Sequence, residues 1–473
     1  MGTISSALSL TAGALDADQA ALSVVANNVA NANTKGYTEE TPNWQENQPI
    51  ESGGISLGDG VTETGATSQR DRVLEQRLDQ QQQLASASST RLTALDNIQA
   101  MFTPDSGSSS STAGDIGSDI TSFFDSFSSL ESDPTDNALR EQVLSSASTL
   151  SGDISSAASS LNSQSAALDQ EATGVASQVN SLTSSLAQLN LEIQSTSPDS
   201  EAGTLEDQRQ QDLSQLSQLV GINQVTTENN GLSITTTSGQ LLVSEGQSFQ
   251  LTTGTVNGVT DFFLGGTDIT SQLATGGGQL GGYLTARDQD IPDVLSSLDQ
   301  LAYGISTEVN AQNNAGIDLD GKTGSVASPL YIFSKPAQVA GSAAAMSVVM
   351  TDPNQIAAAG FGDGAGDNSN ATAMANLAGQ SIVSGQTPIN YYSNFVSKLG
   401  STVSGVQTEN TAQNASVTQL QTQNNALSSV NLNDEAAAMS TLESSYQAAS
   451  QVFTLLNTIM ASALNLGEET TVA

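Results

Sequence analysis

The sequence predicts a mainly α protein with an inserted small β domain. The N- and C-terminal helices pair as a coiled coil, a long-helix bundle fills the middle, and a β module interrupts it. Three observations carry this. Both chain ends show apolar residues spaced by threes and fours, the mark of an amphipathic helix. A long Ser/Ala/Gln-rich stretch places Leu161, Leu168, Val175, Leu182 and Leu189 seven apart. At residue 222 the composition switches to short β-branched runs divided by Gly turns.

The first helix is expected from Ile4 to Ala32. Ile4, Leu8, Thr11, Leu15, Asp18, Leu22, Val25, Val29 and Ala32 form a seam in which only Thr11 and Asp18 are polar. Beside it runs a row of small residues, Ala7, Ala14, Ala21 and Asn28, which lets another backbone approach closely. Gly36 is expected to stop the helix, since glycine takes the left-handed conformation without steric cost. Such a stripe needs a partner. The other end offers one: Leu432, Ala436, Met439, Leu442, Tyr446, Ala449, Phe453, Leu456, Met460 and Ala463 step likewise, and Val452, Leu455, Ile459 and Leu466 widen the face.

Between the ends, residues 38–65 read as an extended arm with a short hairpin. Pro42, Pro49 and the Gly53-Gly54 and Gly58-Asp59-Gly60 turns punctuate it, and it holds the one Trp, Trp44. A helix follows from Gln69 to Met101. Arg70, Arg72, Arg77 and Arg91 lie in or just before it, read as a solvated face, with contact to an acidic subunit surface as the alternative. After a Ser/Gly linker at 104–114, a short amphipathic helix carries Ile116, Ile120, Phe123, Phe124, Phe127 and Leu130. Asp133 is the expected N-cap, before Pro134, of the long heptad helix. Ser197-Pro198 breaks that helix, and a further one ends at Gly221. In the β module, Asn230-Gly231 and Asn257-Gly258 are expected type I′ turns. Helix returns at Leu280, a short β stretch is expected at Met346–Met350, and helices near Asn370 and over 391–427 lead into the terminal stripe. The resulting domains are 1–36 plus 432–473, 37–221 plus 280–431, and 222–279.

Composition excludes several functions. The chain has 473 residues, 37% of them apolar, with charged residues at only 13% and a net charge of −38. That balance argues against nucleic acid and anionic membranes, both of which call for Lys and Arg. Cysteine and histidine are both absent. This removes disulfides, most zinc sites, and Ser-His-Asp or Cys-His catalysis. No catalytic, cofactor-binding or metal-binding residue is assigned. Asp318-Leu319-Asp320-Gly321 begins like a calcium loop, but Pro329 stands where the loop needs Glu. The Gly362 to Asp367 run is a single copy of a repeat that needs stacking partners. No cleaved signal peptide or membrane-spanning run is read.

The stretch Ala26 to Thr38, with Asn27, Asn28, Asn31, Asn33, Thr34, Lys35, Gly36 and Tyr37, is similar to the N-terminal signature of bacterial flagellar rod, hook and hook-associated proteins. Val430 to Ala436 and Tyr446 to Ala449 resemble the C-terminal signature of the hook-associated protein 1 family, as do Arg287-Asp288, Ile291-Pro292 and the 298–302 run. The resemblance implies a structural, non-enzymatic subunit joining hook to filament. It implies export through the flagellar type III apparatus and an extracellular location. Its implied partners are its own copies in a helical ring, the hook protein, the filament-side junction protein, and an export chaperone at the C-terminal region. It also implies chain ends that order on assembly. The expected assembly interface is Leu8, Leu15, Leu22 and Val29, opposite Leu442, Tyr446, Phe453, Leu456 and Met460. The alternatives are another axial subunit, hook or distal rod, and a secreted adhesin using the β module.

Overall fold

A computed structural model describes residues 2–52, 55–102, 115–196, 203–256 and 258–468. The linker at 104–114, the Ser197-Pro198 break and Asn257 of the second Asn-Gly turn lie outside the described residues, as does the side chain of Leu466.

In chain order the elements begin with α1 (Gly2–Asn31). An arm follows, made of β1 (Glu40–Glu46), β2 (Ile50–Ser52), β3 (Ile55–Leu57) and β4 (Val61–Ser68). Helices α2 (Arg72–Ala100), α3 (Ile116–Leu130), α4 (Asn137–Thr196) and α5 (Thr204–Leu219) come next. The β-rich stretch holds β5 (Ile222–Thr226), β6 (Leu232–Thr236), β7 (Leu241–Ser244), β8 (Gln247–Ser248), β9 (Leu251–Val256), β10 (Val259–Leu264) and β11 (Thr267–Asp268). The remaining helices are α6 (Thr270–Gly276), α7 (Gly278–Thr285), α8 (Ile291–Ala315), α9 (Ser342–Ala345), α10 (Ser369–Asn376), α11 (Pro388–Ser428) and α12 (Leu432–Glu468). Mainly helical with small antiparallel sheets inserted, this is the fold class the sequence predicts.

The chain divides into two compact units. One holds residues 1–83, 178–250 and 414–473; the other holds 84–177 and 251–413. Helices α2, α4 and α11 contribute to both. The β-rich stretch is also shared out. Strands β5-β6-β7-β8 form one antiparallel sheet and β11-β10-β9 another, the first in the unit of the chain ends and the second in the other.

The unit 84–177 plus 251–413 is built on a sealed core. Helix α3 packs Phe123 against Phe124, Phe127 and Phe333, with ring centroids 5.1, 5.4 and 5.4 Å apart. Phe102 meets Phe395 edge-on at 5.1 Å. Edge-to-face pairing suits the aromatic quadrupole. Leu150, Ile154, Leu161, Leu298, Ile305 and Val309 of α4 and α8 close around these rings. Arg140 is buried there too, its guanidinium donating to the carbonyls of Pro134, Pro353 and Ile356 at 2.8, 3.3 and 2.6 Å. Burial pulls its pKa down.

Helix α4 is 60 residues long, about 90 Å of rod. Four of its five heptad positions, Leu161, Leu168, Val175 and Leu189, are buried, and Leu182 is half-buried. Its N-cap is not Asp133. Asp136 accepts from the Ala138 N–H at 2.7 Å, while Asp133 serves the preceding turn through the Thr135 N–H. Pro134 therefore sits in that turn, ahead of the helix.

Other expectations are corrected by local geometry. Asn230-Gly231 is not a type I′ turn: Asn230 has φ +59, but Gly231 is extended at φ −72. The position is close-packed: a Cβ would crowd Thr227 Oγ1 at 2.5 Å and would displace the amide end of Gln194 of α4. Helix α5 ends on Val220 in an extended conformation, not on a left-handed Gly221. The Met346–Met350 stretch forms only a single bridge, Val348 to Phe333. The arm holds two strand pairs, β1 with β4 and β2 with β3, with a register shift between Pro42 and Trp44. No described helix is long and apolar enough to cross a membrane.

Candidate functional site

The two chain ends meet as α1 packs on α12, and the strands β1 and β4 also cover α1. The buried line of α1 is Ala17, Ala21, Val25 and Asn28. Two members of the row of small residues, Ala21 and Asn28, are thus buried together with Val25 of the seam, while Ala7 and Ala14 are half-buried. Leu8, Leu15 and Leu22 are half-buried and Val29 is 39% exposed. On α12, Leu442, Phe453, Leu456 and Met460 are half-buried and Tyr446 is 38% exposed. Both halves of the expected interface thus remain partly exposed in the single chain.

A second apolar face of α12 has no cover. Val452, Leu455 and Ile459 are exposed at 45%, 61% and 43%. Their 3-4 spacing puts them on one side of the helix, roughly a quarter-turn or more from the half-buried line Leu442–Phe453–Met460. Leu464 and Leu432 add further exposed apolar surface, at 55% and 51%. A helix apolar on more than one side is a helix with more than one neighbour.

The signature turn between α1 and β1 is the clasp of this unit. Helix α1 ends at Asn31, and Gly36 closes the following turn at φ +86. Asn28, 1% exposed, uses all of its amide. Its Nδ2 donates to Glu435 Oε1 on α12 and to the Glu40 carbonyl on β1, both at 2.8 Å. Its Oδ1 accepts from the Tyr37 hydroxyl at 2.8 Å and the Glu40 N–H at 3.0 Å. One side chain therefore joins the first helix, the arm and the last helix. Asn31 Nδ2 donates to Asn27 Oδ1 at 2.8 Å, and Thr34 donates to Asn31 Oδ1 at 3.2 Å. Asn33 and Lys35 are exposed. Burial, then Glu40, Asp207, Glu435 and Glu39, push the Tyr37 hydroxyl pKa well up, so it stays a donor. Burial likewise raises the Glu435 carboxyl against the opposing hydrogen bond from Asn28.

The clasp extends into an ion cluster. The Thr38 N–H donates to Asp207 Oδ2 at 3.1 Å, and Asp207 is paired with Arg70. Glu206 is fully buried between Arg72, at 3.1 Å, and Arg70, at 3.7 Å, and accepts from Asn230. The Glu39 N–H reaches the Ser428 carbonyl at the end of α11 at 2.9 Å. The solvated-face reading of the arginines is thus corrected. Arg70 and Arg72 hold α5 to the start of α2, and Arg91 makes a bidentate pair with Asp290 at 2.8 Å in the other unit. Arg77 is the one of the four with no carboxylate in ion-pair range among the described residues; Arg72, though paired, stays exposed. Burial also raises the neighbouring carboxyls of Glu75, to about 7, and Asp79, to about 6.

The residues that sequence reasoning missed are the acids of this cluster, Glu206, Asp207 and Glu435. The scarcity of positive charge was the available signal: few cations in an acidic chain are engaged first. No group of three metal-ligating side chains occurs among the described residues. Asp318 caps a turn through the Lys322 N–H at 2.7 Å, and Asp320 meets Lys322 Nζ at 2.9 Å. The arrangement is one for joining segments of the chain.

Known proteins carry the same pattern. Residues 105–326 match the family described as the flagellar hook-associated protein FlgK helical domain, and residues 8–38 match the flagella basal body rod protein family. The chain is 25% identical over 561 residues to flagellar hook-associated protein 1 of Salmonella typhimurium, covering 98% of this chain and 100% of that one. It is 25% identical over 509 residues to flagellar hook-associated protein 1 of Bacillus subtilis, covering 96% of each. The flagellar hook junction protein FlgK from Burkholderia pseudomallei shares the fold, with a TM-score of 0.63 at 17% identity over 74% of this chain and 99% of that one.

Proposed function

We propose, from the premise that this chain belongs to the flagellar hook-associated protein 1 family, that its paired ends are the surface through which copies join into a helical ring between hook and filament. It is a structural subunit of the bacterial flagellum and not an enzyme. The observation that supports the ring is the uncovered second face of α12, Val452, Leu455 and Ile459. A finished monomer gains nothing from three exposed aliphatic side chains in line; a subunit that buries them against a copy does.

In this reading residues 1–36 and 432–473 form the tube-lining domain. Leu8, Leu15, Leu22, Val29, Leu442, Tyr446, Phe453, Leu456 and Met460 serve both the intrachain pairing and the contact between copies. The signature residues Asn27, Asn28, Asn31, Thr34, Gly36 and Tyr37 fix the angle at which the arm leaves the pair. The hook protein and the filament-side junction protein are the neighbours at either end, and an export chaperone covers the C-terminal region before assembly. Ordering the ends in full is left to assembly, because the entropy cost is offset only when copies cover the apolar faces.

The test is removal of residues 436–473. Cells making the shortened chain should still build hooks but shed filament protein into the medium. Normal filaments on that subunit would overturn the reading.

A further inference from the structure

Two features of the chain-end unit are left without a task by the intrachain pairing. The first is Asp18. It stands in the leucine seam of α1 between Leu15 and Leu22, half-buried, with no cation in ion-pair range among the described residues. The seam's other polar member, Thr11, is satisfied by its own helix, donating to the Ala7 and Leu8 carbonyls at 3.0 Å. The second is a groove of about 440 Å³ where the start of α2 meets the end of α11, lined by Val73, Leu74, Arg77, Ala426 and Leu427. Val73 and Leu427 are 60% and 58% exposed. Arg77 is exposed and has no carboxylate partner among the described residues, in a chain whose other helical arginines near it are all engaged. Asp71 at the groove's end is spent on capping α2 through the Val73 and Leu74 N–H groups at 2.9 and 3.1 Å.

The two patches are complementary. One reads apolar, acid, apolar at spacings of three and four; the other sets Arg77 three residues from Leu74 and four from Val73, with Leu427 of α11 lining the same groove. Resting on the self-assembly reading above, we propose that the groove beside Arg77 receives the α1 seam of a second copy, with Asp18 meeting Arg77 and Leu15 and Leu22 seated against Val73 and Leu427. The match in charge is what selects a copy of this chain as the occupant. The two patches differ, so the contact is head-to-tail and propagates from subunit to subunit, as a ring or helix requires. The pair also sets register. A slip of one helical turn leaves Asp18 against Val73 and Arg77 against leucine, both unfavourable.

A charge-reversal cycle tests this in cells carrying the full chain. Asp18→Arg and Arg77→Glu should each lower the number of filaments per cell about tenfold, since each places like charges together. The double reversal should restore filaments to within about twofold. Secreted monomer of every variant should keep its urea midpoint, which separates lost assembly from lost folding. The chain has no cysteine, so a second measurement has a clean background: Leu22→Cys with Val73→Cys should give a reducible ladder of cross-linked subunits in isolated flagella, while each single variant gives no ladder. Silent single reversals, a double no better than either single, or a link confined within one subunit would overturn the proposal. Leu455→Asp runs in parallel. If it abolishes filaments while the cycle is silent, self-assembly stands and this groove is not its site. If it too grows normal filaments, the self-assembly reading falls as well.

Discussion

The core packed around α3 and the helix pair α1–α12 are both built from amphipathic helices, yet one is finished and the other is not. Around α3, Phe123, Phe127, Leu130, Leu150, Ile154 and Leu161 are essentially free of solvent. Along α12, the corresponding large side chains stop at half-burial, and Val452, Leu455 and Ile459 remain outside. The buried line of α1 is instead Ala17, Ala21, Val25 and Asn28, mostly small side chains. Small residues bring two backbones close but remove little apolar area from water, so the pairing is held by a polar clasp and a modest contact. The sealed aromatic core lies in the unit 84–177 plus 251–413, and the chain-end faces proposed for assembly stay partly exposed.

That contrast can be broken at either side. The largest loss is expected from Phe123→Ala, which empties the centre of the aromatic cluster and should cost about 3–5 kcal/mol of unfolding free energy by chemical denaturation. A loss under about 1 kcal/mol would mean that this core is not where stability resides. Asn28→Ala should cost about 3 kcal/mol, because it strands the Glu435 carboxyl and the Glu40 backbone groups in a buried setting; the loss should register as faster amide exchange at the start of α12 and in β1, with α3 unchanged.

A pH series sharpens the comparison further. Burial raises the Glu75 carboxyl from 4.5 to about 7, with Arg70 and Arg72 opposing and Asp79 and Asp207 reinforcing the shift. The folded chain then binds more protons than the unfolded chain between these values. Stability is therefore greatest below about pH 4.5 and falls as pH rises through about 7, by roughly 2–3 kcal/mol from this one group. Glu75→Gln should flatten that slope, read as the urea midpoint at pH 5 and pH 8. The smallest effect on the monomer is expected from Leu455→Asp, within about 0.5 kcal/mol, since an exposed position loses no packing. The same substitution should nonetheless abolish filament growth.

The parts legible in the sequence were those written in local periodicity. The heptad row of α4, the aromatic stripe of α3 and the two terminal stripes each follow from side chains three, four or seven apart, and each is a helix here. The signature run at 26–38 was legible as a family mark but not as a mechanism. The row Ala7, Ala14, Ala21 and Asn28 points Asn28 toward a neighbour, but nothing local names its partner Glu435, which is 407 residues away. The ion cluster was hidden for the same reason. Arg70 and Arg72 look like surface charge until α5 is laid beside them. Asn230-Gly231 differs in another way: the left-handed residue of this turn is Asn230 itself, and Gly231 is extended.

Hydrogen exchange along α12 tests the central claim most directly. In the secreted monomer, amides from Val452 to Ile459 should exchange far faster than those of α3, and in isolated flagella they should become as slow as α3. Equal, strong protection of both helices in the monomer would mean that the chain ends are already complete, and would contradict the account.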